Sequence, residues 1–76
     1  MNRREVAVKQ QLEADGWRVL RNGAPDFIAL KVANGEIVEM KGVEVKSRKG
    51  VLSYEQSVYK DVLHRAGIPF EVIVLD

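Results

Sequence analysis

The chain reads as an α/β fold in the order αβββαβ, a mixed sheet flanked by helices, and three observations predict it. Two stretches with 3.6-residue apolar periodicity, 3–15 and 53–66, bracket a set of strand-like segments. Between two of those segments sits Asn34-Gly35, a strong two-residue hairpin signal, so the flanking strands run antiparallel. The closing segment follows the second helix, and a strand reached through a crossover helix lies parallel to its neighbour by a right-handed connection. One antiparallel and one parallel joint make the sheet mixed.

Composition narrows the class. With 46% hydrophobic residues and short spacing between elements, the chain is globular rather than disordered. Its 76 residues are expected to form one domain, 1–76, near the size at which a single core is only just sufficient. The absence of cysteine excludes disulfides and Cys-based zinc sites and suits a reducing compartment. No apolar run approaches the ~20 residues of a membrane span, and no signal-peptide pattern opens the chain, so the expectation is cytoplasmic with no membrane partner.

In order, residues 3–15 form the first helix, ended by Asp15-Gly16, with Glu5, Val8 and Leu12 on one stripe. Trp17 to Arg21 alternates as a first strand, and Asn22-Gly23 turns it towards Pro25. Proline lacks an N–H and fits poorly inside a central strand, so the second strand starts after it and runs Phe27 to Ala33. The third runs Glu36 to Lys46, with Gly42 read as a bulge or bend. Glu39, beyond that bulge, is expected as a solvated edge residue. After the basic loop Ser47-Arg48-Lys49-Gly50, Ser53 opens a second helix reaching Ala66. Tyr59 and Val62 are assigned to its core stripe and His64 to the surface. Gly67-Ile68-Pro69 ends it, and Phe70 to Leu75 is the last strand.

Three short pieces carry chemistry. Asp26 stands at the mouth of the apolar run Phe27-Ile28-Ala29-Leu30. On the third strand side chains alternate, so Glu44 and Lys46 point one way and Val43 and Val45 the other. If the two strands pair, Asp26 and Glu44 can share one hard divalent cation with Lys46 beside it. Each piece alone has an ordinary reading: Pro-Asp is a common turn, and Glu-x-Lys is usually a solvated face. Ser53-x-x-Gln56 is a capping box in its own right, and Glu5 is favoured in a first turn by the helix dipole.

Together, in this order, Gly23-Ala24-Pro25-Asp26, Glu44-Val45-Lys46 and Leu52-Ser53-Tyr54-Glu55-Gln56 resemble the PD-(D/E)XK nuclease superfamily, and within it the small VRR-NUC domains. The chain is also similar, less closely, to archaeal Holliday-junction resolvases. The resemblance implies a restriction-endonuclease-like minimal core and a Mg²⁺-dependent deoxyribonuclease, with Mn²⁺ able to substitute. It implies metal bound by Asp26, Glu44, the Val45 carbonyl and Glu5, and catalysis by Lys46 and Gln56 beside the two acids. Cleavage would leave a 5′-phosphate and a 3′-hydroxyl.

The formal charge of +1 is weak evidence for a nucleic-acid partner. With Asp26, Glu44 and Glu5 set aside as metal ligands, 12 basic residues face 8 acidic ones. Arg3, Arg4, Arg18, Arg21, Arg48 and Lys49 flank the proposed site, and Ser53 adjoins it, so phosphate contacts are open to them. So small a chain offers little surface for a duplex, and a homodimer acting on branched DNA such as a Holliday junction is the expected arrangement. Two alternatives compete with it: a non-catalytic nucleic-acid-binding or regulatory module, and a nicking nuclease on duplex or flap DNA.

Overall fold

The computed structural model describes residues 1–75. Helix α1, Arg3–Ala14, begins at a capping box. The Asn2 side chain accepts from the Glu5 N–H at 2.9 Å, and Glu5 Oε2 accepts from the Asn2 N–H at 2.9 Å. It ends where Gly16 N–H donates to the Glu13 carbonyl and Trp17 N–H to the Leu12 carbonyl, which satisfies two of its last free acceptors. Helix α2, Tyr54–Arg65, ends through the same pair of bonds, from Gly67 to His64 and from Ile68 to Leu63.

Strands β1 (Arg18–Arg21), β2 (Phe27–Ala33), β3 (Glu36–Lys46) and β4 (Phe70–Val74) form one sheet in the order β1-β2-β3-β4. The first two joints are antiparallel and β3–β4 is parallel, which is the mixed αβββαβ arrangement read from the sequence. Asn34 and Gly35 have φ of 53° and 79°, the doubly left-handed turn whose twist matches that of the strands it joins.

Pairing register divides the residues between two faces. Phe27 lies opposite Val43 and Ala29 opposite Lys41, so the odd-numbered residues of β2 and β3 share one face. There Phe27, Ala29, Val43 and Val45 meet Val8 and Leu12 of α1 in the core, each no more than 9% exposed. Trp17, Val19, Ile73 and Leu75 pack around them. Trp17 lies between two ammonium groups, Lys31 Nζ at 4.6 Å and Lys41 Nζ at 4.5 Å from the ring centre. These lysines pair in turn with Glu39 and Glu71. The even-numbered face carries Gly42, Glu44 and Lys46 and is covered by α2.

Two expectations are corrected. The irregularity in β3 is not at Gly42, which pairs regularly with Ile28, but between Glu39 and Ile37, where Val38 is the extra residue. Gly42 is there for space: a Cβ would stand 2.8 Å from Leu63 Cδ1 and 3.1 Å from Pro25 Cγ. Glycine lets α2 and the Pro25 loop close onto the middle of β3. Tyr59 and Val62 are not core residues, being 44% and 53% exposed; α2 has no buried residue and meets the sheet chiefly through Leu63 and Gln56.

Candidate active site

β2 stops at Phe27 opposite Val43, while β3 continues to Lys46. Val45 therefore has no β2 backbone partner, and its N–H is taken by the Asp26 carboxylate, Oδ2 at 2.9 Å. The loop that delivers Asp26 is closed by Asn22 N–H donating to the Asp26 carbonyl and by the Asn22 side chain donating to Ala24. Pro25 is buried beneath it. The backbone N–H of Asp26 donates to Glu44 Oε1 at 3.3 Å, so the end of one strand and the side of the next are tied through two carboxylates.

Glu44 is 1% exposed, the sole charged residue among the buried ones described. Its other oxygen accepts from the Gln56 side-chain amide at 2.8 Å, and Lys46 Nζ lies 3.6 Å away. Burial and the adjoining Asp26 carboxyl push the Glu44 carboxyl up to about 7, against a partial opposing pull from Lys46. A group held near neutrality by lack of solvent and by a second acid would be relieved by a divalent cation.

Gln56 holds both roles at once. Its Oε1 accepts from the Ser53 N–H at 2.8 Å while Ser53 Oγ accepts from the Gln56 N–H, completing the capping box. Its Nε2 is then left for Glu44. The cap of α2 and the clamp on Glu44 are one side chain. Gln56→Glu is thus expected to keep the cap but set a third carboxyl against Glu44. Melting should change little where Glu44 is protonated, near pH 5, while cleavage near pH 8 falls by roughly two orders of magnitude. Unchanged cleavage would leave Gln56 only its structural role.

Glu5 is engaged in the cap of its own helix. Its carboxylate accepts from the Asn2 backbone, and no group of three or more His, Cys, Asp or Glu side chains gathers as a metal centre among the described residues. The signal for this was available in the sequence as Asn2-x-x-Glu5, a capping pattern like Ser53-x-x-Gln56. Val45 contributes its N–H to Asp26; in a strand the carbonyl of the same residue points to the same side, towards the same gap. Among the proposed phosphate contacts, Arg3, Arg21, Arg48, Lys49 and Ser53 are exposed, and Arg4 Nε donates to the Leu75 carbonyl. A half-enclosed cavity of about 360 Å³ lies on the opposite face between α1 and Trp17, away from the carboxylates.

The VRR-NUC domain family model matches residues 2–74, nearly the whole chain, while no curated protein and no solved structure matches it. The chain belongs to the VRR-NUC family. That family lies within the PD-(D/E)XK nucleases, and membership implies a nuclease-type function, a hydrolase acting on DNA. PD-(D/E)XK nucleases generally use divalent metals. In this VRR-NUC domain the donors brought together are carboxylate oxygens and the backbone of Val45, a set that suits a hard, oxygen-seeking ion.

Proposed function

We propose that this VRR-NUC domain is a Mg²⁺-dependent endonuclease that hydrolyses DNA phosphodiesters, with Mn²⁺ able to substitute, and that it acts on branched DNA as a homodimer. The observation that carries the reading is the convergence of Asp26 and Glu44 at the end of β2, with Lys46 Nζ 3.6 Å from Glu44. Asp26, Glu44 and the Val45 carbonyl would hold the ion, and Glu5 stays a candidate ligand only if it leaves its cap. The bound ion supplies an acidified water and charge neutralisation at the phosphate.

The chain's own residues do the rest. Lys46, 20% exposed at its side chain, orients the attacking water and offsets negative charge as it grows on the phosphoryl oxygens. Gln56 fixes the Glu44 carboxylate so that its oxygens cannot swing away from the site. Arg3, Arg21, Arg48, Lys49 and Ser53 are exposed and would meet the DNA backbone.

The test is a panel of labelled four-way, flapped and linear duplex DNAs incubated with Mg²⁺, Mn²⁺ or EDTA, with Asp26→Ala alongside. Expected is metal-dependent cutting that favours the four-way junction and is lost in the variant, with EDTA silencing the wild type. Cutting in EDTA, or an active Asp26→Ala, would overturn the metal assignment. Preference for flaps or plain duplex would overturn the branched substrate and leave a nicking nuclease.

A further inference from the structure

The sheet has two outer strands, and they are guarded differently. β1 is four residues long and begins and ends in arginine. β4, Phe-Glu-Val-Ile-Val, has no proline, glycine or lysine, and its one charge, Glu71, pairs with Lys41 on the α1 face at 2.6 Å. Unprotected edges of this kind are templates for strand addition.

The backbone bonds of β4 define which groups are free for it. Gly42 N–H donates to the Pro69 carbonyl and Leu75 N–H to the Lys46 carbonyl, so the odd-numbered residues turn their backbone towards β3. Phe70, Val72 and Val74 therefore turn theirs outward, where no strand pairs with them among the described residues.

We infer that β4 pairs antiparallel with β4 of a second copy across a twofold axis at Val72, which rests on the homodimer proposed above and specifies its joint. Only this register uses every outward group: Val72 faces Val72, and each Phe70 faces a Val74, all as hydrogen-bonded pairs. The opposed side chains on the site face are then aromatic or β-branched, the favourable cross-strand combinations. Glu71 faces Ile73 rather than its own copy, so its pair with Lys41 survives and no two carboxylates are opposed.

Five-residue strands alone bury less than the ~800 Å² per partner of a stable interface. The remainder comes from α2, which packs on β4 and carries an exposed apolar stripe of Tyr54, Val58 and Val62, exposed by 84, 41 and 53%. A twofold axis through the sheet keeps the two α2 helices and the two sites on one side. Because Glu44 lies beside Val72 in register, the two Glu44 residues are three strand spacings apart, roughly 14 Å.

The chain has no cysteine, so Val72→Cys gives a single reporter. Under mild oxidation without DNA, it should cross-link to about twice the 8.6 kDa chain mass. Leu20→Cys, on the β1 edge and more exposed at 54% against 37% for Val72, should not cross-link. Val72→Lys, placing two ammonium groups together at the axis, should convert the wild-type dimer to monomer by light scattering. A dimeric wild type whose Val72→Cys variant fails to cross-link, or a Leu20→Cys variant that cross-links as well, overturns this joint but leaves the homodimer. A monomer at every concentration overturns both. Neither result bears on the chemistry, which the cleavage panel tests separately.

Discussion

Glu44→Gln is expected to abolish cleavage while making the metal-free protein more stable above neutral pH. Glu44 takes up its proton at about 7 in the fold and at 4.5 in the unfolded chain. Between those values the folded chain holds the extra proton, so stability falls as pH rises through that window. The full gap corresponds to about 3 kcal/mol, roughly 12–24 °C in melting temperature for a chain of this size. Glutamine keeps an oxygen for Gln56 and cannot ionise, so the variant should melt at nearly the same temperature at pH 5 and pH 8. The wild type without metal should lose stability over that range and regain it when Mn²⁺ is added. Differential scanning calorimetry across pH, with and without Mn²⁺, measures this directly. Near-normal cleavage by the variant, or a wild-type profile flat between pH 5 and 8, would refute the assignment.

Lys46→Ala should separate chemistry from binding. Its ammonium lies 3.6 Å from Glu44 Oε2, and loss of a positioned charge of this kind costs roughly two to three orders of magnitude in the chemical step. DNA affinity in Ca²⁺, read by gel shift, should be nearly unchanged, since the exposed arginines and lysines remain. Lys46 also opposes the upward shift of the Glu44 carboxyl. Without it that carboxyl ionises at higher pH, so Mn²⁺ binding should need a more alkaline buffer. Normal single-turnover cleavage at saturating protein, with weakened DNA binding, would make Lys46 a phosphate anchor instead.

The strands and the pairing of Asp26 with Glu44 were legible because local rules act without competition there. Asn34-Gly35 closes β2 onto β3 as an antiparallel pair, and beyond the extra residue Val38 period-two alternation separates Glu44 and Lys46 from Val43 and Val45. Gly42 was misread because a glycine in a strand has two causes, a bulge or a close approach. Only the three-dimensional position of Leu63 and Pro25 decides between them. Periodicity marked Tyr59 and Val62 as apolar but could not say how much sheet lay beneath them. The placement of Trp17 between Lys31 and Lys41 had no sequence signal, since three distant segments meet there.

The division of the sheet into two faces has a consequence for how such a chain can change over generations. Val8, Leu12, Phe27, Ala29, Val43 and Val45 hold the fold from one side, and Asp26, Lys46 and Gln56 stand at the other without entering that cluster. Asp26 and Gln56 also hold backbone groups in place, whereas Lys46 makes no backbone bond of this kind, so it is the site position a lineage can change with least effect on the scaffold. A descendant that lost Lys46 would keep the core cluster intact and its arginines exposed. On the proposed function, enzyme and silent binder would be neighbours in sequence space, separated on this sheet by a single strand position.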